Sequence, residues 1–234
     1  MKAYKTNLIL IFLLLGISPW AFSASAEMSS KHLRLVKDLM NNNLAYSQDA
    51  TTTNIIEWEE EIVDSLRQKK DYRNMFLMKQ MAVYAYSLQA KISEALKKAD
   101  AMMDEARLMK YNIGISLSYQ ALGDIYLNAG MRPEAVEEYE KAMKTLQATP
   151  HAEKIQERIF IQLVPTLIKL KRMDEAKAYL EHMSEICESK CLSPFLLYAY
   201  HAYYYLRNND LSKAREYIDA VSYTHLRAHE NKAN

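Results

Sequence analysis

Glycine and proline are scarce in this chain, with four and five among 234 residues, while alanine, leucine, methionine, lysine and glutamate abound. That balance excludes a protein built mainly of sheet and favours helix. Charge of one sign is also missing: lysine and arginine exceed aspartate and glutamate by a formal +1, and no basic block occurs. A dedicated nucleic-acid surface needs a clear local excess of cations, so no nucleic-acid partner is expected. No nucleophile motif, phosphate-cradling loop or paired-carboxylate cleft can be read from the chain. His182, Glu185 and Glu188 are scattered rather than set at metal-ligand spacing. No catalytic residue, metal or cofactor is therefore expected. What the chain does have is half its residues hydrophobic and a quarter charged, enough to bury a sizeable core. An all-α protein is expected.

The first 26 residues are set apart. Lys2 and Lys5 precede an apolar run from Leu8 to Ile17, and Ala24, Ser25 and Ala26 supply small side chains before Glu27. The stretch resembles a bacterial secretory signal peptide, which implies an exported protein, periplasmic if the source is Gram-negative. The alternative is an uncleaved membrane anchor, although the run is shorter than the ~20 residues a span needs. No cysteine stands at the cleavage region, so no lipid anchor is expected. No other segment is apolar enough to span, and membrane contact is expected only through that leader or through sequence beyond this chain.

Spacing reveals repetition. Ala95, Ala135, Ala176 and Ala214 stand 40, 41 and 38 residues apart, and nine residues before each stands Tyr86, Tyr126, Leu167 or Tyr205. Four and seven residues after each alanine come Ala99 and Met102, Tyr139 and Ala142, Leu180 and Met183, Ile218 and Val221. That is the one-face stripe of a packed helix. Within Ile115 to Pro150, Tyr119, Leu122, Gly123 and Tyr126 share a face of one helix, and Ala135, Tyr139 and Ala142 share a face of the next. The small residues Gly123 and Ala135 allow close helix approach.

This aromatic, Leu-Gly, Tyr, then Ala, aromatic, Ala pattern resembles the tetratricopeptide repeat. The resemblance implies an α-solenoid of antiparallel helix pairs, about four repeats of 38–41 residues. Since the usual period is about 34 residues, either the helices or the connections must be longer here. It further implies a protein or peptide ligand on the first helix of each pair, with candidate groove residues Gln80, Tyr84, Gln120, Asp124, Asn128, Lys169, Tyr203 and Arg207. The Lys and Asn clamp for a peptide carboxylate, found in chaperone-binding members, is absent; Ile161 and Ala199 occupy two of its places. Solenoids of this kind seldom carry chemistry, so an enzyme is not expected.

Domain boundaries follow from local signals. Residues 27–70 are read as a helical cap or degenerate repeat, with a loop over Ser47 to Asn54. One helix carries Leu33, Leu35, Val36, Leu39 and Met40, and a second carries Ile55, Ile56, Trp58, Ile62, Val63 and Leu66, with Glu59, Glu60 and Glu61 on its wet side. Residues 71–220 form the array. Gly130 stops one helix and Pro133 with Glu134 opens the next, while Asp174 and Asp210 serve as further starts. Thr149, Pro150 and His151 separate two pairs, as do Ser193 and Pro194. Pro165 falls inside a helical pattern, where it removes a hydrogen bond. Val164 stands where the second repeat has Gly123, which predicts looser packing.

Three features remain. The run from Leu196 to Leu206 is rich in tyrosine; Tyr198, Ala202 and Tyr205 fall on the packing face, so core packing is favoured over an aromatic cage. Cys187 and Cys191 are the two cysteines. In an exported chain they can close a small disulfide if the helix ends between them, and two free thiols are the alternative. Residues 221–234 are read as a non-native tail, because Val221 to Glu230 resembles a translated sequencing adaptor. His225 and His229 then have no evolved role, and the native sequence continues differently after Ala220. Exported arrays with such a leader resemble the sensory halves of membrane histidine kinases, which implies a periplasmic peptide- or protein-binding module. The alternative is a self-contained secreted scaffold for envelope proteins.

Overall fold

The computed structural model describes residues 48–190 and 194–221. They form α1 (Gln48–Gln68), α2 (Tyr72–Leu88), α3 (Ile92–Leu108), α4 (Asn112–Asn128), α5 (Arg132–Leu146), α6 (Glu153–Lys169), α7 (Met173–Lys190) and α8 (Pro194–Arg207). Residues 211–221 are also helical, and no strand occurs among the described residues. The leader, the whole segment before α1 with its expected first helix, residues 191–193 and the tail after Val221 lie outside them.

A recurring turn sets the period. Lys70, Ala90, Lys110 and Gly130 lie 20 residues apart, and each has positive φ, between 51° and 81°. After each, the next amide reaches back five residues: Asp71 to the Leu66 carbonyl, Lys91 to Tyr86, Tyr111 to Ala106 and Met131 to Tyr126, at 2.9–3.0 Å. This Schellman closure satisfies carbonyls that a helix end leaves open. Lys171 and Asn209 repeat it, with Arg172 and Asp210 donating to Leu167 and Tyr205. Since α2, α3 and α4 are each 17 residues long, the longer period resides in the helices and not in the connections. Helix starts follow the sequence as well. Asp71 and Asp210 accept from the backbone amides of Asn74 and Lys213, at 3.3 and 3.1 Å.

Two expectations for α1 are corrected. The polar stretch after Ser47 is helical from Gln48, not a loop. Once the apolar stripe from Ile55 is docked, propagation adds a hydrogen bond for each residue fixed, so the Thr-rich turn is carried along. Glu59 is not on the wet side. It is 7% exposed and ion-pairs with Lys98 of α3.

The described chain forms two compact units, divided between Pro150 and His151. In the first, α2 packs on α1 and α3, α4 packs on α3 and α5, and α2 and α4 touch each other. Ala95, Ala99, Val83, Ala121 and Ile125 form a buried cluster edged by Tyr86, Ile92, Leu96 and Leu122. In the second unit, α6 packs on α7 and α8, and α7 on α8.

The repeat positions show how bulk is shared. A Cβ on Gly123 would lie 2.5 Å from Tyr139 Cε1, so the ring occupies the space that glycine vacates. In the third repeat the same two places hold Val164 and Leu180, which are 0% and 1% exposed. Bulk has moved from one helix to its partner, and α6 meets α7 less extensively than α4 meets α5, the looser packing that the valine predicts. Ala135, Ala142 and Ala176 are fully buried and Ala214 nearly so. The stripe weakens at its last member, where Ile218 is 50% exposed.

Pro165 sits inside α6, which runs unbroken to Lys169. Its missing N–H would otherwise bond the Ile161 carbonyl. The Tyr200 hydroxyl donates to that carbonyl from α8, at 3.2 Å, and the Tyr200 ring meets Phe160 edge-on. The proline is thus accommodated by the next helix pair within the unit.

Candidate functional site

The 3.6-residue period places Gln80, Tyr84 and Ser87 on one face of α2, and Gln120, Asp124 and Asn128 on one face of α4. Those faces meet each other. Gln80 Nε2 donates to Asp124 Oδ2 at 2.7 Å, and Tyr139 of α5 donates its hydroxyl to Asp124 Oδ1 at 2.7 Å. A turn further along, Asn128 Nδ2 donates to Ser87 Oγ at 2.8 Å, and Ser87 in turn donates to the Tyr84 carbonyl. The polar stripe is therefore a seam between successive first helices.

Gln80, Gln120 and Asp124 are buried, at 3%, 3% and 4% exposure, so they are neither a solvated face nor an open groove surface. Tyr84 is half-buried and Asn128 exposed, and these two carry the seam to the solvent. Gln120 Oε1 is buried and accepts no hydrogen bond among the described residues. Burial pushes the Tyr139 phenol far up, and the Asp124 charge adds to it through space and through their hydrogen bond. Tyr84 is raised in the same way, by burial first and then by Asp124. Both phenols thus stay neutral donors beside a buried carboxylate.

The remaining candidates lie in the second unit. Lys169 and Arg207 are exposed in the last turns of α6 and α8, and Tyr203 is half-buried. Neighbouring tyrosines are packed. Tyr217 stacks on His201 at 4.6 Å and 9° and on Tyr205 at 5.6 Å and 15°, and Tyr204 is 6% exposed. The core reading of the tyrosine run therefore fits better than a cage. Ser184 Oγ lies 3.2 Å from His201 Nε2. Cys187 is disulfide-bonded, α7 ends at Lys190, and Cys191 lies outside the described residues.

Sequence reasoning missed two members of the seam. Ser87 is not marked by the repeat register, in which Leu88 is the counterpart of Asn128. Tyr139 was read for its ring alone, while its hydroxyl is the donor to Asp124. No group of His, Cys, Asp and Glu among the described residues could hold a metal ion, and no helix there is long and apolar enough to cross a membrane.

Residues 117–145, from the middle of α4 through most of α5, match the tetratricopeptide repeat family. The chain carries a tetratricopeptide repeat. No curated protein matches the chain. The matched segment contains Gly123, Asp124 and Tyr139, so the Gly123–Tyr139 and Tyr139–Asp124 contacts lie within the repeat itself. The described residues are all-α, and within each unit consecutive helices pack on one another, as this repeat implies. Tetratricopeptide repeats are in general protein-interaction modules and typically non-enzymatic.

Proposed function

We propose that this chain is a periplasmic protein- or peptide-binding module, the sensory part of a membrane signal-transduction receptor. The observation that carries the binding reading is the tetratricopeptide repeat at 117–145, with Tyr84 and Asn128 bringing a polar seam to the solvent beside it. An extended segment laid across α2 and α4 meets a phenol and an amide there, groups that hydrogen-bond a backbone without reading much side-chain sequence. The leader resemblance of residues 1–26 supports export, and the resemblance of such exported arrays to kinase sensory halves supports the receptor.

Two measurements test these parts separately. On a peptide array probed with the purified protein, Tyr84→Ala with Asn128→Ala should weaken retained peptides by about tenfold, the loss of roughly 1.4 kcal/mol, at a temperature where circular dichroism shows the variant still folded. Equal binding by the variant overturns the site. Sequencing the source gene beyond Ala220 should reveal an apolar span of ~20 residues, then a phosphoacceptor histidine and an ATP-binding domain. A continuation without a span overturns the receptor and leaves the self-contained scaffold.

A further inference from the structure

We propose that one edge of the first unit docks on an anionic lipid surface. The edge is assembled from helix ends distant in sequence. Arg67, at the end of α1, reaches Glu105 in the last turns of α3 at 3.0 Å, which sets those two ends side by side. Asn112, opening α4, lies 3.4 Å from Thr149, just beyond α5, which adds the third end. The ends of α1, α3 and α5 and the turns that follow α1 and α3 thus share one side of the unit.

Charge is segregated onto that side. Lys69, Lys70, Arg107, Lys110 and Lys144 are all exposed, and none forms an ion pair among the described residues. The acidic groups of the same side are mostly engaged. Asp64 and Glu105 are held by Arg67, with Lys79 also on Glu105, and Asp71 caps α2. Asp104 is the exposed exception. On the opposite side, Lys91 and Arg132 are matched by Glu94 and Glu134 at the starts of α3 and α5. In a chain of net charge +1, an excess on one edge is a matter of placement.

Basic residues in a last turn also complement the helix dipole, which accounts for Arg107 and Lys144 one at a time. It accounts neither for Lys69, Lys70 and Lys110, which lie past the helix ends, nor for Leu108. That leucine is 86% exposed, the largest exposure of any bulky apolar side chain described, and stands between Arg107 and Met109. A single projecting leucine on the side of the unit that carries these cations fits a planar, deformable anionic surface: the cations meet lipid phosphates and the side chain enters at headgroup depth. An acidic protein would satisfy the cations but has no need of the leucine.

Co-sedimentation of the full chain with phosphatidylglycerol-containing vesicles and with pure phosphatidylcholine vesicles, at low salt, tests this. The protein should bind the anionic vesicles alone. Lys69→Gln with Arg107→Gln and Lys144→Gln should lower partitioning about a hundredfold, and Leu108→Asp about tenfold. All four side chains are exposed, so both variants should keep the parent melting temperature; should Leu108→Asp melt early, Leu108→Ser carries the same expectation. Absent binding to anionic vesicles, or unchanged partitioning of either variant, overturns the proposal. So does capture by poly-glutamate that survives Leu108→Asp while the vesicles stay unbound, since that outcome assigns the edge to an acidic protein.

Discussion

At Gly123 the physical constraint is the Tyr139 ring, 2.5 Å from where a Cβ would stand. Gly123→Ala should destabilise by about 1–3 kcal/mol through overpacking, read by urea unfolding. Tyr139→Leu should relieve part of that loss in the double variant, because Val164 and Leu180 already coexist in the third repeat; an additive double-mutant cycle would refute the shared-space account. Tyr139→Phe keeps the ring but removes a donor from buried Asp124, for an expected cost of about 1–3 kcal/mol. Further on, burial holds the His201 imidazole below its ordinary value, against a weaker upward pull from Glu181. The unfolded chain then binds the proton more readily than the folded one. The stability that His201 contributes is full above about pH 6.5 and is lost as pH falls through the folded value. His201→Gln should therefore flatten the acid limb of the melting temperature; an unchanged limb would remove His201 from the account.

Helices of 14–21 residues, six of the eight closed by a left-handed residue, are the elements from which both units are built. Only Gly130 among these turn residues is glycine, and at the other positions an L-residue holds φ near 51–61°. The left-handed conformation costs such a residue roughly 1–2 kcal/mol. Ala90→Gly should accordingly stabilise the first unit by up to about 1 kcal/mol after the added freedom of the unfolded glycine is subtracted. Thermal melting decides it, and a lower melting temperature would contradict the turn assignment. At α6 the test is Tyr200→Phe. Burial pushes the Tyr200 phenol up to about 12, so it remains a donor at neutral pH. Removing it should strand the Ile161 carbonyl that Pro165 leaves open, and cost about 1–2 kcal/mol. The proline was visible in the sequence, but its compensating partner was not, because Tyr200 lies 39 residues from the Ile161 carbonyl, on another helix.

For the whole molecule, the repeat was legible because it depends on local chemistry recurring at fixed intervals. Small residues at Ala95, Ala135, Ala176 and Ala214, bulky residues nine positions earlier, and stops such as Gly130 act within a few turns of helix. They announce helix pairs without knowledge of any distant contact. The seam was half legible: the period put Gln80, Gln120, Asp124 and Asn128 on faces of their helices, but period alone does not say what a face meets. Only the packing of α2 against α4 turned expected groove residues into a buried network, by carrying Gln80 to within 2.7 Å of Asp124 across 44 residues of chain. The same holds for Glu59, polar in a run of glutamates and therefore read as solvated, until α3 brings Lys98 to it. The sequence by itself determined helix, period and turn, because those follow from propensity and side-chain size along the chain. The tertiary structure alone decided which polar groups are buried, where Pro165 finds its compensation and which helix ends share the basic edge, because burial and charge pairing depend on the neighbours that folding supplies.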